Sequence, residues 1–170
     1  MWEYTGKERP PFADEPGPGQ ESVWDYPRPP ALVHCQSLVE VGNPEKPLAS
    51  TLHALRVLET ASPPTYHLPS DSVDWAQLVQ AQGTSYCEWK GQAAYWALAS
   101  DPGSDVIGWS YETPGTAFAD IQGYLSFYPG RIPCHVDGER VLPQPGAFYG
   151  GWVTSTIAGP FKGEPGTGHW

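Results

Sequence analysis

The stretch Ala31-Leu32-Val33-His34-Cys35-Gln36-Ser37-Leu38-Val39-Glu40-Val41 alternates two sets of side chains. Val33, Cys35, Ser37, Val39 and Val41 fall on one side, and Leu32, His34, Gln36, Leu38 and Glu40 on the other. This is the period of a β-strand. Gly42, Asn43 and Pro44 mark a turn after it, and Leu48–Leu52 is placed to pair back on it. Ser85–Lys90, Ala93–Ala99 and Val106–Tyr111 are also strand-like, bounded by Gly91 and by Asp101-Pro102-Gly103. In the last of these, Ile107, Trp109 and Tyr111 share a face. Asp137-Gly138, between Val136 and Glu139, is the strongest hairpin signal in the chain, because a type I′ turn needs positive φ at both central residues. Its register puts Cys134, Val136 and Val141 on one face and His135 and Arg140 on the other. The expected fold class is all-β, a single domain of two or more antiparallel sheets.

Two short helices are expected beside the sheets. Ser50 or Thr51 caps the first, in which Leu52, Leu55 and Leu58 recur at near-helical spacing before Pro63-Pro64. Thr113-Pro114 opens the second, with Phe118 and Ile121 at helical spacing and Gly123 at its end. Asp71–Gln82 fits neither period and stays unassigned between helix and irregular strand. Residues 1–21, rich in Pro, Gly and acid, read as a disordered or extended arm. Residues 22–152 form the domain, and 153–170 a Gly/Pro-rich tail.

The composition bounds the function. A length of 170 residues fits one domain. Leu, Ile, Val and Phe total only 31, so the 8 Trp and 9 Tyr must supply much of the buried area. A net charge of −10 opposes sequence-independent binding to phosphate backbones, so no nucleic acid partner is expected. There is no basic region followed by an apolar run at the N-terminus, and no stretch approaches the ~18 apolar residues of a membrane span. The expectation is a cytoplasmic protein with no membrane partner, either monomer or homodimer. Cys35, Cys87 and Cys134 are far apart and suit a reducing compartment. His34-Cys35 and Cys134-His135 place each pair on opposite strand faces, and no Cys-x-x-Cys occurs, so neither a metal nor another cofactor is expected. Cys35 and Cys134 read as small core residues.

Aromatic side chains crowd the region between Tyr86 and Tyr128, around Tyr86-Cys87-Glu88-Trp89-Lys90-Gly91. Trp and Tyr build rigid walls that can still hydrogen-bond a guest. Cys87 and Lys90 are the candidate catalytic residues, since a nearby ammonium activates a thiol. They face oppositely on an uninterrupted strand, so their meeting requires a kink, for which Gly91 is placed. Candidate ligand-binding residues are Trp89, Trp96, Trp109, Tyr111 and Tyr128, with Arg56, Glu59 and Tyr66 at the rim. Arg131, after the turn Tyr128-Pro129-Gly130, is either an anion clamp or an ordinary turn arginine. No Ser-His-Asp order, Gly-x-Ser-x-Gly elbow, phosphate-binding Gly loop or His-Glu-x-x-His occurs.

Five blocks carry a family resemblance: Trp24-Asp25-Tyr26-Pro27-Arg28-Pro29-Pro30; Leu55-Arg56-Val57-Leu58-Glu59-Thr60 with Pro63-Pro64-Thr65-Tyr66; Cys87-Glu88-Trp89-Lys90-Gly91 with Tyr95-Trp96; Trp109-Ser110-Tyr111; and Phe127-Tyr128-Pro129-Gly130-Arg131 with Val136-Asp137-Gly138-Glu139. Over about residues 22–152 the chain resembles the domain-of-unknown-function family 427. The resemblance implies a β-tent type fold, similar to methionine sulfoxide reductase B and the drug-binding domain of cereblon. Those relatives hold zinc with two Cys-x-x-Cys pairs, which this chain lacks, so a metal-free tent is implied. The group is also catalogued under a nucleotidyltransferase-type name, but no paired metal-binding acids follow a Gly-Ser turn here. In tent folds the site lies where two sheets meet, which corresponds to positions 87–91, 107–111 and 128–131.

Three readings of function follow. The first is a module that binds a small anionic or planar metabolite in an aromatic-lined cleft. The second is an enzyme on a small-molecule substrate with Cys87 as nucleophile or redox thiol. The third is a structural or interaction protein whose rings are only core.

Overall fold

The computed structural model describes residues 1–170, in which strands dominate and every helix is a short 3-10 turn. Three antiparallel sheets form the body. The first joins Ala31–His34, Leu55–Leu58 and Thr65–His67. The second runs Leu78–Cys87, Gly91–Leu98, Gly108–Ser110 and Leu125–Phe127. The third orders Lys46–Thr51, Val39–Asn43, Cys134–Val136 and Glu139–Arg140. Leu142–Pro143 pairs with Trp152–Val153, and Glu21–Ser22 runs parallel to Ile157–Ala158. No sheet closes into a barrel. Leu68 and Leu125 form a bridge that links the first sheet to the second.

Several elements follow their local chemistry. Asp137 (φ 48°) and Gly138 (φ 81°) make the positive-φ turn between Cys134–Val136 and Glu139–Arg140. Cys134 and Val141 turn inward to the core while Arg140 is exposed. Val39–Asn43 and Lys46–Thr51 form the expected hairpin. The alternating stretch 31–41 is two strands, broken at Cys35–Leu38 so that its halves serve different sheets. Asp71–Gln82 resolves into the 3-10 turns Ser70–Ser72 and Trp75–Gln77, followed by strand from Leu78.

The two expected helices are corrected. Leu55–Leu58 is a central strand, because pairing with two neighbours satisfies its backbone on both edges and the leucine spacing is outweighed. Phe118 and Ile121 are buried, but Thr116–Ile121 is a 3-10 segment interrupted at Phe118 (φ −118°), too short for an α-helix. Ser85–Lys90 is corrected too: the strand ends at Cys87, and Glu88–Lys90 is the turn into Gly91.

Burial is concentrated in three clusters. The largest brings Val39, Val41, Leu48 and Cys134 of the third sheet against Leu68, Leu125 and Phe127. Burial pushes the Cys134 thiol up to about 12, and its Sγ donates to the Ile132 carbonyl. A second cluster packs Leu55 and Val57 against Trp109, Tyr111, Phe118 and Ile121. The third gathers Val23, Trp24, Tyr26, Ala61 and Ile157. Onto Trp24 the residues 1–20 add Tyr4 and Phe12 at ring centroid distances of 5.3 and 5.4 Å, and the C-terminal segment adds Trp170 at 5.2 Å.

Gly108 marks where two strands approach most closely, since a Cβ there would lie 2.6 Å from the carbonyl oxygen of Ser126. Gly108→Ala is therefore expected to destabilise by about 1–3 kcal/mol in urea unfolding. Gly103→Ala, where a Cβ meets nothing within 4 Å, should change stability by no more than about 0.5 kcal/mol.

Candidate functional site

Strand alternation decides which candidate residues converge. Register pairs Val57 with Thr65 and Leu55 with His67, so these four share one face of the first sheet. In the second sheet Tyr95 pairs with Trp109, and Ala93 lies two residues away on the same face. Between these faces is a cavity of about 760 Å³, within the range of small-molecule sites. Cys87, Trp89, Lys90, Trp109, Tyr111, Tyr128, Arg131 and Glu59 line it. Trp109 and Tyr128 are in ring contact at 4.6 Å, and the Arg131 guanidinium lies 4.3 Å above the Tyr128 ring while donating to the Val106 carbonyl at 2.7 Å.

The remaining three candidates point elsewhere. Arg56 pairs in register with Tyr66 on the opposite face of the sheet from Val57. It donates to Glu21 at 3.1 Å, and Tyr66 stacks on Trp152 at 4.6 Å in the main core. Burial pushes the Tyr66 hydroxyl up to about 12. Because 55–58 is strand rather than helix, Arg56 and Glu59 face oppositely, and Glu59 accepts instead from Arg28 Nε at 3.2 Å. Trp96, one residue from Tyr95, faces away from the cavity, packs on Trp75 at 4.8 Å and donates to Ser110 Oγ at 2.9 Å.

Cys87 and Lys90 do reach the same cavity, through hairpin geometry. Cys87 pairs with Gly91 across the three-residue loop Glu88–Lys90, and Gly91 closes it in a left-handed conformation (φ 94°). Lys90 is only 9 % exposed, yet its amine makes no ion pair and no hydrogen bond; its Nζ lies 5.5 Å from the centre of the Tyr111 ring. Burial pulls its pKa below the ordinary lysine value, against the opposing influence of Cys87 and Glu59. Burial also raises the hydroxyls of Tyr111 and Tyr128, the latter to about 12, so both stay protonated donors.

Behind the wall sits His67, 1 % exposed. Its Nε2 is 3.0 Å from Thr65 Oγ1 and its Nδ1 is 2.8 Å from Ser126 Oγ, with Thr65 itself on the cavity. Burial first, and then the Lys90 charge, hold the imidazole well below its usual range and therefore neutral.

Sequence reasoning passed over the contributions of the two terminal segments. Trp2 and Lys162 also line the cavity, with Lys162 Nζ 4.2 Å from the Trp2 ring and the Arg28 guanidinium 4.1 Å from it. No short motif announces them, since the two residues meet from opposite ends of the chain. Gln144 and the loop Ala147–Gly150 complete the rim, and Gly150 abuts the Trp109 indole. Nowhere do three or more His, Cys, Asp or Glu side chains converge as a metal-ligand set, and no helix is long and apolar enough to cross a membrane.

The neutral His67 gives a pH signature. Its folded pKa lies below the unfolded value near 6.5, so the unfolded chain takes up a proton first as pH falls. The resulting stability is complete above that value and is lost below it. Between pH 7 and pH 5 the wild-type chain should lose about 1 to 2 kcal/mol more than His67→Gln in urea unfolding. Equal losses in both proteins would show that His67 titrates normally.

No curated protein matches the chain. A family model described as a domain of unknown function (DUF427) matches residues 31–141, a span that holds all three main sheets and most of the cavity wall, but not Trp2, Gln144, the loop Ala147–Gly150 or Lys162. The chain belongs to that family, DUF427.

Proposed function

We propose that this protein binds a small, planar, anionic metabolite in the cavity, with aromatic walls taking its flat faces and Lys90, Lys162 and Arg131 offering positive charge. The observation that carries the reading is Lys90: a residue only 9 % exposed, whose unpaired amine opens on a hollow walled by Trp89, Trp109, Tyr111 and Tyr128. Buried cations ordinarily have a partner, and an unpartnered one beside an open cavity is completed by a guest. Two sheets meeting at this cleft also accord with a β-tent-like arrangement.

Screening aromatic and aliphatic carboxylates by thermal unfolding tests the reading. A true ligand at a hundred times its Kd adds about 2.7 kcal/mol. Lys90→Met should weaken that ligand by at least about 2 kcal/mol, some 30-fold, while keeping a cooperative transition. A broad screen without a stabiliser, or an unchanged Kd in Lys90→Met, would sink the reading.

A second reading, an enzyme with Cys87 as nucleophile, is favoured by one observation: Cys87 lines the cavity, whereas Cys35 and Cys134 are buried in the core. Iodoacetamide should label Cys87 alone in the native protein and all three thiols after unfolding. Labelling of Cys87 no faster than that of a free thiol in an unfolded peptide would remove the nucleophile role and leave the binding role in place.

A further inference from the structure

The chain has four lysines, and Lys90 is unlike the rest. Lys7 and Lys46 are exposed. Lys162 is buried, but it donates to the Trp170 carbonyl at 3.4 Å and lies over the Trp2 ring. Lys90 is comparably buried and makes no hydrogen bond or ion pair; Cys87 and Glu59 act on it only through their charge, and His67 is neutral and already committed to Thr65 and Ser126. Burial lowers its pKa from the ordinary lysine value, against the charges of Cys87 and Glu59, which raise it. A lysine amine on a cavity wall, tied up in no ion pair or hydrogen bond, is a nucleophile for carbonyl carbon once it gives up its proton.

We infer that Lys90 forms a reversible imine with a small planar aldehyde or ketone carrying an anionic group. This rests on the binding function proposed above and narrows its ligand to a carbonyl compound. The amine lone pair attacks the carbonyl carbon, the carbonyl π pair passes to oxygen, and one N–H proton follows it, giving a carbinolamine. The nitrogen lone pair then forms C=N while the hydroxyl leaves, takes up the second N–H proton and departs as water. Nothing is oxidised or reduced, and no further reactant is needed. The rings of Trp109 and Tyr111 set a flat shape for the guest, and Lys162 and Arg131 remain available for its anionic group. Loss of the lysine charge on condensation is also favourable here, because the neutral state suits the buried position.

Reductive trapping tests the inference. The full chain is incubated near neutral pH with 4-formylbenzoate or with glyoxylate, reduced with cyanoborohydride, digested and mapped by mass spectrometry. The expected product is a single adduct, the mass of the probe less one oxygen atom, on the peptide containing Lys90. It should persist in Cys87→Ser and be lost in Lys90→Arg and Lys90→Met, with thermal melts confirming that these variants fold. Adducts confined to Lys7, Lys46, Lys162 or the α-amine, or no adduct with either probe, would overturn the inference. Parallel melts with 4-(hydroxymethyl)benzoate, which cannot condense, separate the two levels. Stabilisation by this alcohol without an aldehyde adduct removes the imine and keeps the binding function. Absence of both removes both.

Discussion

Two main-chain hydrogen bonds between Leu68 and Leu125, each 2.9 Å, hold the molecule's two cavity walls together. Each residue donates to and accepts from the other, and both side chains are fully buried in the main core. The pair sits one residue past Thr65–His67 and at the start of Leu125–Phe127, so it extends the first sheet into the second. From it follow the placement of Ser126 against His67 and the facing of Val57 and Thr65 toward Trp109. The two walls belong to separate sheets, and this bridge is the ladder contact that joins them.

Polar satisfaction separates structure from site. Arg28 is almost wholly committed, donating to Glu59, to the Tyr4 carbonyl and to the Thr60 carbonyl. His67 has a partner at each ring nitrogen. Two groups stand apart. The Trp24 indole N–H is buried without an acceptor, a cost of about 1–3 kcal/mol that the packing of Tyr4, Phe12 and Trp170 around the ring must offset. The Lys90 amine also lacks an acceptor, but it lies on the cavity wall rather than inside a packed cluster. The first is a tolerated defect of a packed cluster, and the second is a donor turned toward the cavity.

The sheet content of the chain was legible wherever a period of two or a positive-φ turn stood alone, as at Val39–Asn43 and Asp137-Gly138. It was misread where two signals competed. Leu52, Leu55 and Leu58 mimic a helical stripe, and only pairing on both edges, which is not visible locally, makes 55–58 a strand. That one misreading placed Arg56 beside Glu59 when the sheet sends them to opposite faces. The ring-rich run 86–111 pointed to the cavity, yet alternation takes Trp96 out of it and admits Tyr95. Trp2, Lys162 and the bond from His67 to Ser126 were out of reach, because they arise from contacts between segments distant along the chain.

The hairpin that carries Lys90 is divided by its bulge. Its register shifts between Ala81 and Thr84, Gly83 adopts φ 95°, and residues 82–86 beyond it are exposed. The inner half is held between neighbouring strands. The tip rests instead on the loop 113–115: a Cβ at Gly91 would lie 3.4 Å from the Thr113 carbonyl oxygen, and one at Gly115 3.6 Å from that of Trp89. The depth of the amine is thus fixed by two supports, the paired strands behind it and that loop beside it.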